Sequence, residues 1–178
     1  AQTISSQVTM GGNDSNNGYF TVTPATDKTI VVVGSNKTAA DKTKFTYRMK
    51  LGSTGNVEDG QNISFTTTND YAKVTVYALS STAADSTRPL VLAQSDATEV
   101  DRNTIDGSTL QAYTYYTAQA GTYYIYSASS GINLYSVSVE ETADKPVLGT
   151  PEVTATAVDS SVILDWNKVA GATSYEIY

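Results

Sequence analysis

The sequence contains no cysteine and no histidine, and each absence excludes a class of function. Without cysteine the chain has no disulfide and no thiol nucleophile, and cysteine usage does not indicate a redox compartment. Without histidine the chain cannot itself supply a Ser-His-Asp or Cys-His catalytic arrangement, a histidine general base or His-ligated zinc. Most familiar hydrolytic sites are therefore excluded, and we expect no enzyme activity and no catalytic residues.

Positive charge is also scarce. The 178 residues carry 11 Lys plus Arg against 18 Asp plus Glu, for a net charge of −7. Nucleic-acid and anionic-membrane surfaces neutralise many phosphates, so this composition predicts neither partner. No run approaches the roughly 18 apolar residues of a membrane span, and "AQTISSQVTM" lacks the pattern of a signal peptide. We expect a mature or excised soluble piece.

What the sequence does contain is a series of short alternating runs separated by Gly, Asn, Asp and Ser, without helical periodicity. This pattern predicts an all-β fold, an antiparallel two-sheet β-sandwich of the jelly-roll kind. The predicted strands are 18–24, 28–34, 44–51, 62–68, 72–80, 88–94, 110–117, 121–128 and 131–140.

The character of the sequence changes after "EETADKP", where Pro146 and Pro151 indicate a linker. We therefore predict a sandwich domain over 1–144 and a linker with a second unit over 145–178. That unit, "TPEVTATAVDSSVILDWNKVAGATSYEIY", resembles the opening of a fibronectin type III domain. The resemblance covers a Pro-led first strand, "SVILDW" with Trp166 as the second, and "ATSYEIY" as the start of a third. It implies a truncated β-segment whose apolar residues need cover.

One stretch, "KFTYRMKLGSTG" over 44–55, concentrates basic residues in an acidic chain. If it is a strand, Lys44, Arg48 and Lys50 share one face. The opposite face would then hold Phe45, Tyr47, Met49 and Leu51. The sequence therefore predicts a basic stripe.

The segment 19–140 resembles the pectin-binding carbohydrate-binding modules of family 77, which are appended to bacterial pectate lyases. The resemblance is carried, in order, by "MKLGSTG" and "ISFTTT" (49–68), "AKVTVYALSSTAADSTRPLVL" (72–92) and "AGTYYIYSASSGINLYSVSVE" (120–140). It implies a secreted, extracellular bacterial module that binds de-esterified homogalacturonan without catalysis. It also implies a covalently linked polysaccharide lyase, which the module targets to the plant cell wall.

The resemblance covers a basic residue at Lys50, Lys73 and Arg88, and we predict these as ligand-binding residues. Arg48 and Tyr77 complete the predicted site. Alternation places Lys73, Thr75 and Tyr77 on the solvent face, opposite Val74, Val76 and Ala78. Each charge-assisted contact with a uronate carboxylate is worth about 1.5–3 kcal/mol at best.

Other interpretations stay open at this stage. Tyrosines could form a stacking platform for a neutral glycan, starch or hemicellulose, at Tyr113, Tyr115, Tyr124 and Tyr126. An adhesin or structural spacer without a glycan site would present the same strands, with its cations merely solvated. We expect no cofactor. A structural calcium ion stays possible, with ligands from Glu58 and Asp59 or from Asp96, Glu99 and Asp101. An acidic pair that cleaves glycans also stays open.

Overall fold

The computed structural model describes residues 2–10, 18–145, 147–169, 172 and 174–177. These residues form fourteen β-strands. The strands are β1 (Gln2–Ile4), β2 (Val8–Met10), β3 (Phe20–Thr23), β4 (Ile30–Thr38), β5 (Lys44–Lys50), β6 (Asn62–Thr67), β7 (Tyr71–Ser80), β8 (Arg88–Gln94), β9 (Glu99–Ile105), β10 (Gln111–Tyr116), β11 (Gly121–Ser127), β12 (Ile132–Thr142), β13 (Val153–Val158) and β14 (Ser161–Trp166). Within these described ranges, no helix is long and apolar enough to cross a membrane.

Twelve of the strands form two six-stranded antiparallel sheets. Sheet A has the order β1-β4-β5-β12-β7-β10, and sheet B has the order β2-β3-β6-β11-β8-β9. The predicted all-β, antiparallel two-sheet sandwich is confirmed. Nine of the twelve strands match predicted runs, whereas β1, β2 and β9 were not predicted.

The core lies between the facing sides of the two sheets. On β7 the alternate residues Val74, Val76 and Ala78 are fully buried, as alternation predicts. Ile125 of β11 and Leu92 of β8 face them from sheet B and belong to the same apolar cluster. The side of each sheet turned away from the other, which we call its outer face, is therefore left for binding.

A buried tyrosine joins the two sheets across this core. Tyr115 of β10 in sheet A donates its hydroxyl hydrogen to the carbonyl oxygen of Leu90 in sheet B, over 2.9 Å. Burial raises the pKa of Tyr115, so the hydroxyl stays a donor throughout the physiological range. The hydrogen bond satisfies a polar group that would otherwise be costly inside the core.

Glu141 at the end of β12 makes a second connection between the sheets. Its carboxylate accepts hydrogen bonds from the Thr68 backbone N–H at 2.8 Å, the Asn69 N–H at 2.9 Å and the Tyr19 hydroxyl at 3.3 Å. Burial alone raises the pKa of Glu141, but the hydrogen bonds from Asn69, Thr68 and Tyr19 outweigh it, and the net pKa is lowered. Burial, followed by the nearby Glu141 charge, raises the pKa of Tyr19 to about 12.

This arrangement predicts a specific pH dependence of stability. Because the folded pKa of Glu141 lies below its ordinary value of 4.5, the carboxylate stabilises the fold above that pH, and the stabilisation is lost as pH falls through the folded pKa. We expect Glu141→Gln to lower the urea midpoint at pH 7. On acidification, the urea midpoint of this variant should fall less than that of the parent. The exposed neighbour Glu140→Gln is the control, and identical pH profiles for both variants and the parent would contradict this role.

The last described strands form a separate two-stranded hairpin, in which Val153 of β13 pairs with Trp166 of β14. Lys168 follows it and donates hydrogen bonds to the Asp101 carboxylate and, at 2.8 Å, to the Arg102 carbonyl oxygen, so the tail contacts edge strand β9. Residues 172 and 174–177, within the predicted third tail strand, are not in a strand. The fibronectin-like identity of this unit and the boundary near residue 145 stay predictions.

Candidate functional site

Three of the predicted basic residues share the outer face of sheet A. Lys73 lies on the face of β7 opposite the buried Val74 and Val76. Lys50 lies in one cross-strand row with Asn133 of β12 and Leu79 of β7, and Arg48 follows two residues before it on β5. We call Arg48, Lys50 and Lys73 the basic set. Four of the five residues predicted to bind ligand, the basic set and Tyr77, thus lie on one face, with Lys73 six residues along β7 from the row that contains Lys50.

Lys73 has a mixed electrostatic setting. It lies directly opposite Glu140 on β12 and Tyr116 on β10. With these neighbours it lines a shallow depression of about 420 Å³, whose remaining walls are Glu141, Thr142, Asp144 and Lys145. The adjacent carboxylates offset part of the Lys73 charge, so Lys50 and Arg48 present the less opposed positive charge.

Tyr77, also predicted as a ligand contact, already has partners in the protein. Its ring lies 4.9 Å from that of Phe45, between ring centroids, and its hydroxyl donates to Asp41 at 2.6 Å. The hydrogen bond to Asp41 raises the pKa of Tyr77, and the same bond lowers the pKa of Asp41. Tyr77 thus anchors the tip of the β4–β5 hairpin on the outer face of sheet A.

The prediction that Phe45, Tyr47, Met49 and Leu51 share one face is wrong for Phe45. Leu51 and Met49 belong to the main core, whereas Phe45 packs in a smaller cluster with Tyr77 and Tyr135. Tyr47, between them, is 64% exposed. The pairing of β4 with β5 shifts register between Gly34 and Lys37, and a bulge of this kind bends and twists the strand pair.

Arg88 was predicted to bind ligand, but its side chain is buried in the protein. It begins β8 in sheet B, and its side chain is only 10% exposed. Its guanidinium donates to Asp85 at 2.7 Å, to Ser81 and Thr82 at 2.6 Å each, and to the carbonyl oxygen of Gly131. The donors are directed to the 81–87 loop and the turn before β12, so Arg88 holds the fold together and does not join the basic set.

This assignment predicts a loss of stability for Arg88→Ala. The Arg88→Ala change removes a buried guanidinium and leaves the buried Gly131 carbonyl oxygen without its donor, and we expect a decrease of about 1–3 kcal/mol in the free energy of unfolding, measured in urea. The matched control is Arg102→Ala, because the Arg102 side chain is 55% exposed and pairs only with Glu99 at the surface. Equal free energies of unfolding for the two variants would show that the Arg88 hydrogen bonds stabilise the fold no more than a surface ion pair does.

Several polar atoms beside the basic set are buried without a partner in the described residues. They are Arg48 Nε, Asn133 Oδ1 and Tyr135 Oη, on the neighbouring strands β5 and β12. A buried polar group without a hydrogen bond costs about 1–3 kcal/mol. The outer face of sheet A around β5 and β12 therefore has hydrogen-bond donors and acceptors that a ligand could use.

The tyrosine platform is divided by the fold. Tyr113 and Tyr115 are buried in the core, which removes them from any ligand surface. Tyr124 and Tyr126 lie half-buried on the outer face of sheet B, and Tyr124 pairs with the small residues Ser64 and Ala93. A platform of four tyrosines is therefore corrected to a pair.

Four of the five carboxylates considered for calcium have protein partners. Asp59 accepts from Asn56, Asp96 from Thr98, Glu99 from Arg102 and Asp101 from Lys168. In the part of the chain that the structure describes, no group of three or more Asp or Glu side chains is placed to hold a metal ion.

Sequence reasoning missed one surface residue and two cations near the basic set. Tyr47 is exposed and pairs with Gly34, a neighbour that alternation along β5 does not predict. Lys37 and Lys42 are exposed on the same hairpin. Counting charge over the whole segment 30–50, not only along β5, would have found them.

Comparisons with known proteins give remote likenesses only. No family model and no curated protein matches the sequence. Among solved structures, the chain is similar to an exo-β-agarase at 8% identity and a TM-score of 0.44, over 78% of this chain and 25% of that chain. It is also similar to the C-terminal CBM6 of LamC, a marine laminarinase from Zobellia galactanivorans, at 7% identity and a TM-score of 0.35, over 63% of this chain and 99% of that chain.

A third likeness is to the enzymatically active domain of the bacteriophage CBA120 tailspike protein 4, at 16% identity and a TM-score of 0.38, over 78% of this chain and 19% of that chain. The chain thus spans about a quarter of the length of the agarase.

Proposed function

We propose that this chain is a non-catalytic carbohydrate-binding module that binds de-esterified homogalacturonan, the acidic backbone of pectin, on the outer face of sheet A. The observation that carries the proposal is the basic set. Arg48, Lys50 and Lys73 share one face of a protein whose net charge is −7. Cations gathered on one face of an acidic domain attract an anionic ligand to that face.

The chemistry of the polymer suits this face. Homogalacturonan carries one carboxylate per sugar, and lysine or arginine can pair with successive carboxylates through charge-assisted hydrogen bonds. Sugar hydroxyls both donate and accept, so they can use the unpaired capacity of Arg48 Nε and Asn133 Oδ1 after small side-chain rotations. Charge and hydroxyl recognition are thus available side by side on β5 and β12.

The wider setting belongs to the same proposal and rests on the family resemblance. A module of this kind would be secreted by a bacterium and linked covalently to a polysaccharide lyase acting on the plant cell wall. The sandwich would hold the linked enzyme near its polymer. The isolated chain should release no unsaturated uronates from pectin.

The first test is affinity electrophoresis in gels containing de-esterified pectin, methyl-esterified pectin, starch or xylan. We expect retardation by de-esterified pectin alone, weaker at high salt, because partly exposed ion pairs are screened over a Debye length of about 8 Å at physiological ionic strength. The double variant Lys50→Ala/Lys73→Ala should bind roughly 10- to 100-fold more weakly, at about 1.4 kcal/mol per tenfold.

Lys28→Ala is the matched control, since it removes the same charge from the exposed turn before β4. Unchanged binding of the double variant at low salt would show that the basic set is only a solvated sheet face. Equal retardation by methyl-esterified pectin would exclude carboxylate recognition.

A second candidate function has its own observation. Tyr124 and Tyr126 lie two residues apart on the outer face of sheet B, where sugar rings could stack on them. Retardation by starch or xylan that is lost in Tyr124→Ala would favour this neutral-glycan binding. Tyrosine stacking on a neutral sugar is insensitive to salt, so the salt series separates the two candidates.

A further inference from the structure

The β4–β5 hairpin concentrates the positive charge of the molecule. Residues 30–50 hold five of the 11 cations and a single carboxylate, so the segment has a charge of +4 and the rest of the chain −11, given the total of −7. The five cations are Lys37, Lys42, Lys44, Arg48 and Lys50. The carboxylate, Asp41, is already occupied by the Tyr77 hydroxyl and the Thr43 backbone N–H. The hairpin is therefore a local cationic surface.

Tyr47 is an exposed aromatic residue on the same hairpin, in β5 between Lys44 and Arg48. It is 64% exposed, and among the described residues before position 146 no other large apolar or aromatic side chain is exposed. Its cross-strand partner is Gly34, which has no side chain to cover the ring. A β-carbon at Gly34 would meet nothing closer than the Thr46 carbonyl oxygen at 4.0 Å, so the space beside Tyr47 is open.

The same hairpin presents an unpaired strand edge. Strand β1 pairs only with residues Ile30, Val31 and Val32 of β4. Beyond Val32, no described strand covers the outer edge of β4, where backbone N–H and C=O groups face outward. Exposed backbone donors and acceptors lie next to the cations and the open tyrosine.

From these three features we infer that the hairpin is a subsite for an acidic sugar, with Tyr47 stacked against the face of a uronate ring. Lys37, Lys42 and Lys44 lie at its tip and pair with carboxylates of the same chain. The inference rests on the proposed function and adds the exposed hairpin to the surface that binds the same polymer. Aromatic rings favour the weakly positive C–H face of a sugar, and adjacent cations fix its carboxylate.

An acidic polysaccharide fits this surface better than a nucleic acid does. Nucleic-acid affinity depends on neutralising many closely spaced phosphates, and the −11 charge of the rest of the chain opposes a long, densely charged polymer. A polyuronate has one charge per sugar and exposes uncharged ring faces between carboxylates. One tyrosine between several lysines matches that alternation.

The inference is tested with oligogalacturonate as the probe, titrated into the full chain in a calorimeter. We expect Tyr47→Ala to weaken binding by about three- to tenfold, in line with the value of an aromatic contact, and Tyr47→Phe to bind like the parent. The triple variant Lys37→Gln/Lys42→Gln/Lys44→Gln should bind more weakly and with a shallower salt dependence, whereas Lys28→Gln should not. Urea midpoints should match the parent, because these side chains are exposed.

The outcomes separate this inference from the proposed function. If the parent binds oligogalacturonate and Tyr47→Ala binds as tightly, the hairpin subsite is overturned while the proposed function stands. If the parent does not bind oligogalacturonate, both fail. If a single-stranded oligonucleotide binds the parent as tightly as the uronate and loses affinity in the same variants, the surface serves phosphate polymers and the assignment to a uronate is overturned.

Discussion

The burial of both inner faces in a single apolar core is the constraint on which the rest of the structure depends. Val74 and Val76 of β7 face Ile125 of β11 and Leu92 of β8, and all four are excluded from solvent. Alternation along each strand then assigns the intervening residues to the outer faces. Any ligand must therefore bind on an outer face, an edge or a hairpin, and the two candidate surfaces lie on opposite sides of the sandwich.

Charge distinguishes the two sides. Sheet A carries the basic set and, through the β4–β5 hairpin, five of the 11 cations of the chain. The outer face of sheet B carries Tyr124 and Tyr126, and its edge strand β9 is dominated by the paired Arg102 and Glu99. Under the proposed function, the local field of these cations would attract an anionic polymer to sheet A, against the net negative charge of the molecule.

Much of the fold could be predicted because alternation is a local property. The nine predicted runs correspond to β3 to β8 and β10 to β12, and the buried positions of β7 follow from its sequence alone. The three-residue strands β1 and β2 are too short to show a period, and they exist because β4 and β3 supply partners. Strand β9 was missed because "EVDRNTI" is rich in charge, as edge strands often are.

The site was predicted less completely, since it depends on contacts between distant residues. Nothing in the sequence near Arg88 indicates that Ser81, Thr82 and Gly131 will surround its guanidinium. Arg88 was therefore predicted to bind ligand although it is a buried structural residue. Tyr47 likewise pairs with Gly34 beside an irregularity in β4 that alternation along β5 does not reveal. Alternation places Lys50 and Lys73 on the same outer face, but pairing through β12 sets Lys50 level with Leu79, six residues along β7 from Lys73, and this offset was not predicted.

The most direct measurement is a titration of the ¹⁵N-labelled chain with oligogalacturonate, followed by backbone amide chemical shifts. The account predicts that the largest changes fall on residues 31–50 and around Lys73 and Asn133, and that they shrink as salt is added. Changes centred on Tyr124 and Tyr126 of β11, or no change at ligand concentrations that saturate a pectin-binding module, would contradict it.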